Sequence, residues 1–416
     1  MSAKRAATVI PLLLAACAAC ATTSAAAAKQ RFTQDRFVIG LWVEPPADDQ
    51  MEARYREMAG AGFNLVTDCC MTTRPEQVLR QLALCKRFGM KAIVPCLEAD
   101  PARLPLSAAC MGCLVKDEPA VAEFPGLRAR VDAIRRERPG KLAFINMYPD
   151  YVNPAAVGAR DYNDYAERFA RELDVDVLCM DHYPLFRPDQ PDGRDAYCRN
   201  LGVMRRLSLE RGVPFWNFFN AMPFGPHTDP TEAQIRWQIN ATLAYGGKGV
   251  LYFCYWTPTG GEFPKGGAII TPDGRRTRHY AQARRINAEL NNWGPVLMKL
   301  VSEGVARIAP NTTDTTAALA GSPLIKIASV PGDPAPDCLV GWFRHADGRR
   351  AVIICNYHFA YTAWPTMEFA APADKVTEVD RSSGKERPVI DDSPAIAGLQ
   401  LSLDAGDARL FLLPPQ

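Results

Sequence analysis

Residues 113–119 read Cys-Leu-Val-Lys-Asp-Glu-Pro, an apolar run that stops in two adjacent acids and a proline. A short buried strand ending in Asp117-Glu118 sets a carboxyl at the mouth of a site. Pro119 suits the first position of a following helix, where its missing N–H costs nothing. Other apolar runs end in a similar way. Trp42 and Glu44 follow one, Asp68 another and Glu98 a third; Asn146 and Tyr148, then Asp181, His182 and Tyr183, follow the next two. Trp216, Asn217 and Asn220 lie in and after the seventh, Tyr255 and Trp256 end the eighth, and Glu262 lies in a Gly-rich loop beyond it. Carboxyls set among rings and amides suit a carbohydrate, because ring faces stack on the C–H faces of a pyranose while acids and amides bind its hydroxyls. Breaking a glycosidic bond needs one carboxyl to protonate the leaving oxygen and a second to act as nucleophile or base.

Such residues need a frame that brings distant strand ends together. Near-continuous apolar runs recur at residues 37–43, 63–69, 91–97, 110–115, 142–147, 175–180, 214–219 and 249–255. Runs of this kind are expected of parallel strands buried on both faces. Between them lie amphipathic helical patterns at 51–61, 75–88, 120–138, 162–173, 195–210 and 232–245, with a last one at 278–292. Thr231 and Gln234 form a capping box; the third connection, 99–109, is short and broken by proline. Eight alternating units over residues 35–295 predict a (β/α)8 TIM barrel, whose active site lies at the C-terminal strand ends. A doubly wound sheet is the weaker alternative, since no Gly-rich phosphate turn follows the first strand. From residue 300 to 416, short period-2 runs split by Gly, Pro, Asn and Asp predict a C-terminal antiparallel β-sandwich domain.

Composition narrows the function classes. A formal charge of +2 over 416 residues, without long basic runs, argues against nucleic acid as a partner. Residues 1–28 read as a signal peptide: Lys4 and Arg5 precede an apolar stretch too short to span a bilayer. Two processing signals compete, a lipobox that would lipidate Cys17 and a small-residue site, Ala26-Ala27-Ala28, before Lys29. Either implies export from a bacterium, to the periplasm, to an outer-membrane lipid anchor or to the medium. Of the 13 cysteines, several sit in apolar runs (Cys69, Cys70, Cys96, Cys113, Cys179, Cys254) and act there as small hydrophobes. Cys110-Met-Gly-Cys113 has redox spacing but lies in a strand. No metal and no cofactor is expected: His182, His227 and His279 share no ligand spacing. A Gly-X-Ser-X-Gly elbow, His-Glu-X-X-His and a P-loop are all missing, which removes esterase, zinc protease and kinase.

Asp117-Glu118-Pro119 after strand four resembles the Asn-Glu-Pro of clan A glycoside hydrolases, whose Glu is the acid/base. Asp181-His182-Tyr183 resembles that clan's His/Tyr motif, Trp256 is similar to its sugar-platform tryptophan, and the C-terminal sandwich is similar to family 42 and related members. The resemblance implies a glycoside hydrolase with Glu118 as general acid. It departs in one place. The clan's nucleophile is a Glu ending strand seven, and no acid lies between Glu210 and Asp229 here. Asp181, two strands from Glu118, leads as the second carboxylate and would favour inversion through an intervening water. Glu262 ranks second, Glu44 and Glu98 third. Trp42, Glu44, Asp117, Asn146, Tyr148, His182, Tyr183, Trp216, Asn217, Tyr255, Trp256 and Glu262 are the expected substrate contacts. The alternative is a non-catalytic carbohydrate-binding protein on a degenerate barrel.

Overall fold

The computed structural model describes residues 30–67, 74–96, 101–261, 263, 265–330 and 332–415. The expected signal region with Cys17, and also Asp68, Cys69, Cys70, Glu98 and Glu262, lie outside the described residues. Eight parallel strands come first: β1 (Val38–Leu41), β2 (Leu65–Thr67), β3 (Lys91–Pro95), β4 (Cys110–Asp117), β5 (Leu142–Asn146), β6 (Leu178–Asp181), β7 (Phe215–Asn220) and β8 (Gly249–Phe253). Among the described residues the helices that accompany them are α1 (Met51–Gly60), α2 (Pro75–Arg87), α3 (Phe124–Glu137), α4 (Tyr162–Arg168), α5 (Arg194–Arg211), α6 (Glu232–Ala244) and α7 (Arg278–Leu297). Among its described residues, the proline-broken third connection forms a 3-10 turn, Pro101–Arg103. The capping box forms: Gln234 N donates to Thr231 Oγ1 and Thr231 N to Gln234 Oε1.

The strands make two parallel sheets, ordered β1-β8-β7-β6 and β2-β3-β4-β5. One seam between them carries a parallel bridge between Met147 and Met180. At the other, Asn64 N donates to Ile39 O, and the Asn64 side chain accepts from Ile39 N and donates to Phe37 O. One buried cluster takes side chains from all eight strands, including Val38, Leu65, Ile93, Met111, Phe144, Cys179, Trp216, Phe218 and Leu251. A second, larger cluster packs the outer strand faces against the helices.

Trp216 belongs to the inner cluster, fully buried, with its indole N–H donating to Gln34 Oε1 at 2.9 Å. Gln34 precedes β1 and also binds Lys248 O, so Trp216 is tied to the N-terminal end of the strands. Its expected role as a substrate contact is corrected to that of an interior residue. Trp216→Ala should cost about 3–5 kcal/mol of stability, as large core truncations do; a urea midpoint unchanged from wild type would refute this placement.

Beyond α7 the chain is antiparallel. A six-stranded sheet contains β9 (Leu300–Ile308), β11 (Cys338–His345), β12 (Arg350–Asn356), β14 (Thr377–Val379), β15 (Glu386–Pro388) and β17 (Ala408–Leu413), and a three-stranded sheet contains β10 (Leu324–Ala328), β13 (Thr366–Phe369) and β16 (Leu399–Gln400). Leu324, Ile327 and Met367 of the small sheet share a buried cluster with Val340, Val352, Ile354 and Phe411 of the large one. Facing sheets around one apolar layer follow from the period-2 alternation of these strands. The large sheet rests on α6 so closely that a Cβ on Gly341 would collide with the carbonyl of Ala244.

Cysteine chemistry differs from expectation at one place. Cys96 and Cys113, read as separate small hydrophobes, form a disulfide between the end of β3 and β4. Cys110, Cys179 and Cys254 are buried and stand outside any disulfide among the described residues. Among the described residues no helix is long and apolar enough to cross a membrane.

Candidate active site

β4 ends at Asp117, and a bulge between Leu114 and Lys116 shifts its pairing so that Asp117 stands opposite Asn146 at the end of β5. The Asn146 amide nitrogen donates to Asp117 Oδ1 at 3.1 Å and to Asp181 Oδ1, at the end of β6, at 2.7 Å. One amide therefore holds two carboxylates from strands that are not neighbours. Asn146 itself is buried, and its Oδ1 has no partner among the described residues.

Glu118 takes a left-handed backbone conformation, φ 47°, uncommon for a residue with a Cβ. Its N–H donates to Asn146 O at 3.0 Å, so the turn out of β4 is pinned to β5. Strain of this kind persists only where surrounding structure enforces it, and it concentrates at functional sites. Pro119 is not the helix start that the sequence suggested. Its carbonyl accepts from Tyr165 Oη, Ala120 caps the 3-10 turn Val121–Glu123, and Pro125 holds the first helical turn of α3.

The acids perturb one another. Burial pushes Glu118 up to about 8, helped by the charges of Asp181 and then Asp117. Burial also pushes Asp181 up to about 7, helped by Asp117 and opposed by hydrogen bonds from Asn146 and Tyr183. Asp117 is open to solvent on one side and enclosed by protein on the others. Desolvation raises it, while Asn146 and Lys116 pull it down. Like charges this close cannot all ionise at neutral pH, so the group retains a proton and titrates as a unit. Asn146→Ala removes a bond that favours both aspartates in their charged form. The apparent pKa values of any pH-dependent turnover should move upward; an unmoved profile would show that Asn146 does not tune the pair.

The connection after β5 supplies the aromatic wall. Asn153 caps the turn Pro154–Val157, and Asp161 caps α4 through Asp164 N at 2.8 Å. Asn200 of α5 straps this loop down, accepting from Asp150 N and donating to Tyr162 Oη, which in turn donates to Tyr148 O. Tyr148 is half-buried, and its hydroxyl feels the charges of Glu118 and Asp117. Tyr151 was not singled out from sequence. It is 55% exposed, and burial of its hydroxyl end and the nearby Asp181, Glu118 and Asp150 raise its pKa. The only sequence signal for it was an aromatic in the Pro-Asp-Tyr turn after a site strand. His182 is buried behind Tyr151, with ring centroids 5.1 Å apart; it bonds Asn200 Oδ1 through Nδ1. Burial lowers its pKa to about 4, so it is neutral and supports the wall rather than facing substrate. Tyr183 donates to Asp181 and packs edge-on against Phe224.

Across the mouth the sequence expectation fails for a reason. Trp42 is half-buried with its ring edge-on to Phe218, 5.2 Å away. Phe224, Phe253, Phe263 and Tyr183 form a connected ring cluster over the ends of β7 and β8. β7 carries no acid, and the acids gather on β4 and β6 and on Glu118 just beyond β4. Asn217 points to the helices, donating to Tyr197 Oη at 2.7 Å. Glu44 is buried, accepting from Tyr55 Oη and Gln81 Nε2 between α1 and α2. Tyr255 packs against Phe63 on the outer side. Trp256 is buried beneath the Arg54 guanidinium, 4.6 Å from its ring centre. Asn217, Glu44, Tyr255 and Trp256 are therefore structural, not substrate contacts. Among the described residues, no three His, Cys, Asp or Glu are grouped to hold a metal ion.

No protein-family model matches this sequence, and no curated protein matches it in sequence. Solved structures do match it in fold. The beta-galactosidase from Bacillus circulans sp. alkalophilus superposes with a TM-score of 0.60 at 10% identity, over 91% of this chain and 99% of that one. A catalytic mutant of a GH42 beta-galactosidase from G. stearothermophilus gives 0.57 at 11% identity, over 93% of this chain and 100% of that one. The beta-galactosidase from Marinomonas ef1 gives 0.46 at 13% identity over 61% of this chain, which spans 60% of that enzyme. At these identities the likeness is one of fold: the chain has a glycosidase-like fold.

Proposed function

We propose that this chain is an exported glycoside hydrolase on a (β/α)8 barrel, cleaving O-glycosidic bonds in an oligo- or polysaccharide. Glu118 protonates the leaving oxygen and Asp181 is the second carboxylate, with Asp117 and Asn146 setting their charge and Trp42, Tyr148, Tyr151 and Tyr183 lining the sugar site. The observation that carries the reading is the single amide of Asn146 joining Asp117 and Asp181 beside a strained Glu118. A general acid works best with a pKa near the operating pH, and Glu118, near 8, meets that condition. The fold shared with beta-galactosidases makes β-galactosides the first substrates to try.

The test is release of reducing sugar from a panel of oligosaccharides and aryl glycosides, β-galactosides included, by the mature protein. Hydrolysis abolished in the Glu118 variant supports the reading; saturable oligosaccharide binding without hydrolysis of any bound substrate supports a carbohydrate-binding protein instead. The absence of an acid on β7 and the ring cluster standing there favour that second reading. Export, with lipidation of Cys17 or cleavage before Lys29, is tested by the mass of the mature N-terminus from the native host.

A further inference from the structure

At the opposite end of the parallel strands, a cavity of about 590 Å³ lies between the N-terminal ends of β7 and β8 and the start of β9. That volume is in the range of small-molecule sites. Its walls are largely apolar, with Phe215, Val213, Met298 and Leu300 among them. Three cations line it, and they differ in how they are satisfied. Arg31 is neutralised by Asp174 and Asp176.

Arg205 of α5 has no carboxylate partner among the described residues. Its Nε donates to Ser302 Oγ at 2.7 Å, which leaves the two terminal nitrogens of the fork without an ion pair. Lys248 likewise has no acid: Nζ donates to the carbonyls of Leu297 and Leu300, and a third proton remains. Two half-satisfied cations on an apolar cavity carry an unfavourable desolvation that an anion would relieve.

We propose that this cavity binds a small organic carboxylate, its anionic end taken by the Arg205 fork and the Lys248 ammonium and its apolar body laid on Phe215, Val213 and Met298. A planar carboxylate matches the guanidinium fork with two parallel hydrogen bonds. The site stands on residues remote from the acids of β4 to β6, so it holds or fails independently of the hydrolase reading. Burial lowers Lys248 to about 8, so an anion that favours its charged form should bind more weakly as pH rises through that value.

The probes are benzoate and hexanoate, with neutral benzamide and hexanol as controls, followed by calorimetry and by thermal melting of the full chain. Saturable binding of the two acids but not the neutral controls, weakening above pH 8, is the expected result. Arg205→Gln should weaken benzoate roughly tenfold or more, leaving the unliganded melting temperature and any hydrolysis unchanged. The proposal is overturned if wild type binds neither acid, if it binds benzamide equally well, or if Arg205→Gln binds benzoate like wild type. Should Arg205→Gln fail to fold, Arg205→Lys and the acid-over-amide preference and pH dependence of wild type decide the matter.

Discussion

Glu118→Gln is expected to lower turnover by about two to four orders of magnitude while oligosaccharide affinity stays within a few-fold, the range lost when a positioned acid/base is removed. The amide keeps the shape but cannot give a proton to a leaving oxygen. Aryl glycosides with acidic leaving groups need no such help, so their loss should be smallest, and that ordering distinguishes a general acid from a residue that merely holds the fold. Stability moves the opposite way. The folded pKa of Glu118, about 8, lies above its ordinary value of 4.5, so the fold favours the protonated form. That contribution is complete below about pH 4.5 and is lost as pH rises through 8. A Gln at this position has no such loss, so the variant should gain about 1–2 kcal/mol over wild type at pH 8 relative to pH 5, allowing for partial exposure. Wild-type turnover in Glu118→Gln, or a stability difference that shrinks with rising pH, would remove Glu118 from the acid role.

The parallel strands were legible in the sequence because each is apolar on both faces, and their ends were accurate to within a few residues. The direction of individual side chains was not, and the errors have a common origin. A run such as Phe215-Trp216-Asn217-Phe218 has no polar face to mark which parity turns inward. Trp216 proved to be inside and Asn217 outside. At the end of β1 the alternation breaks at Val43, whose φ is 60°, and the chain turns Glu44 toward Tyr55 and Gln81. The bulge in β4 is equally silent in the sequence, yet it is what brings Asp117 opposite Asn146. The motif Asp-Glu-Pro marks the end of β4; the amide that joins Asp117 to Asp181 appears only once the strand register is known. The lack of an acid on strand seven is visible in the sequence, whereas the ring cluster beside it joins Phe253 at the end of β8 to Phe224 and Phe263 of loops that the strand pattern does not address.

Asp181→Asn is the variant that separates catalysis from binding most sharply, and a loss of about three to four orders of magnitude in turnover is expected. Asn146 and Tyr183 both stabilise the anion of Asp181. In the Asn variant those donors meet a neutral amide, and neither a nucleophile nor a base remains on β6. Asp117 is not expected to replace it, since it lies on the β4 side, next to Glu118 in the chain. Removing Asp181 also removes the second-largest influence on Glu118, whose pKa should fall from about 8 toward the carboxylate range, moving the acidic part of the remaining activity to lower pH. Added azide, a small anion that fits where the carboxylate was, should restore part of the rate on aryl glycosides, and the anomer of the glycosyl azide formed reports which face Asp181 served. If Asp181→Asn retains full turnover while Glu118→Gln does not, the second carboxylate lies elsewhere on the mouth; if neither variant changes a measurable rate, the acids of β4 and β6 bind sugar without cutting it.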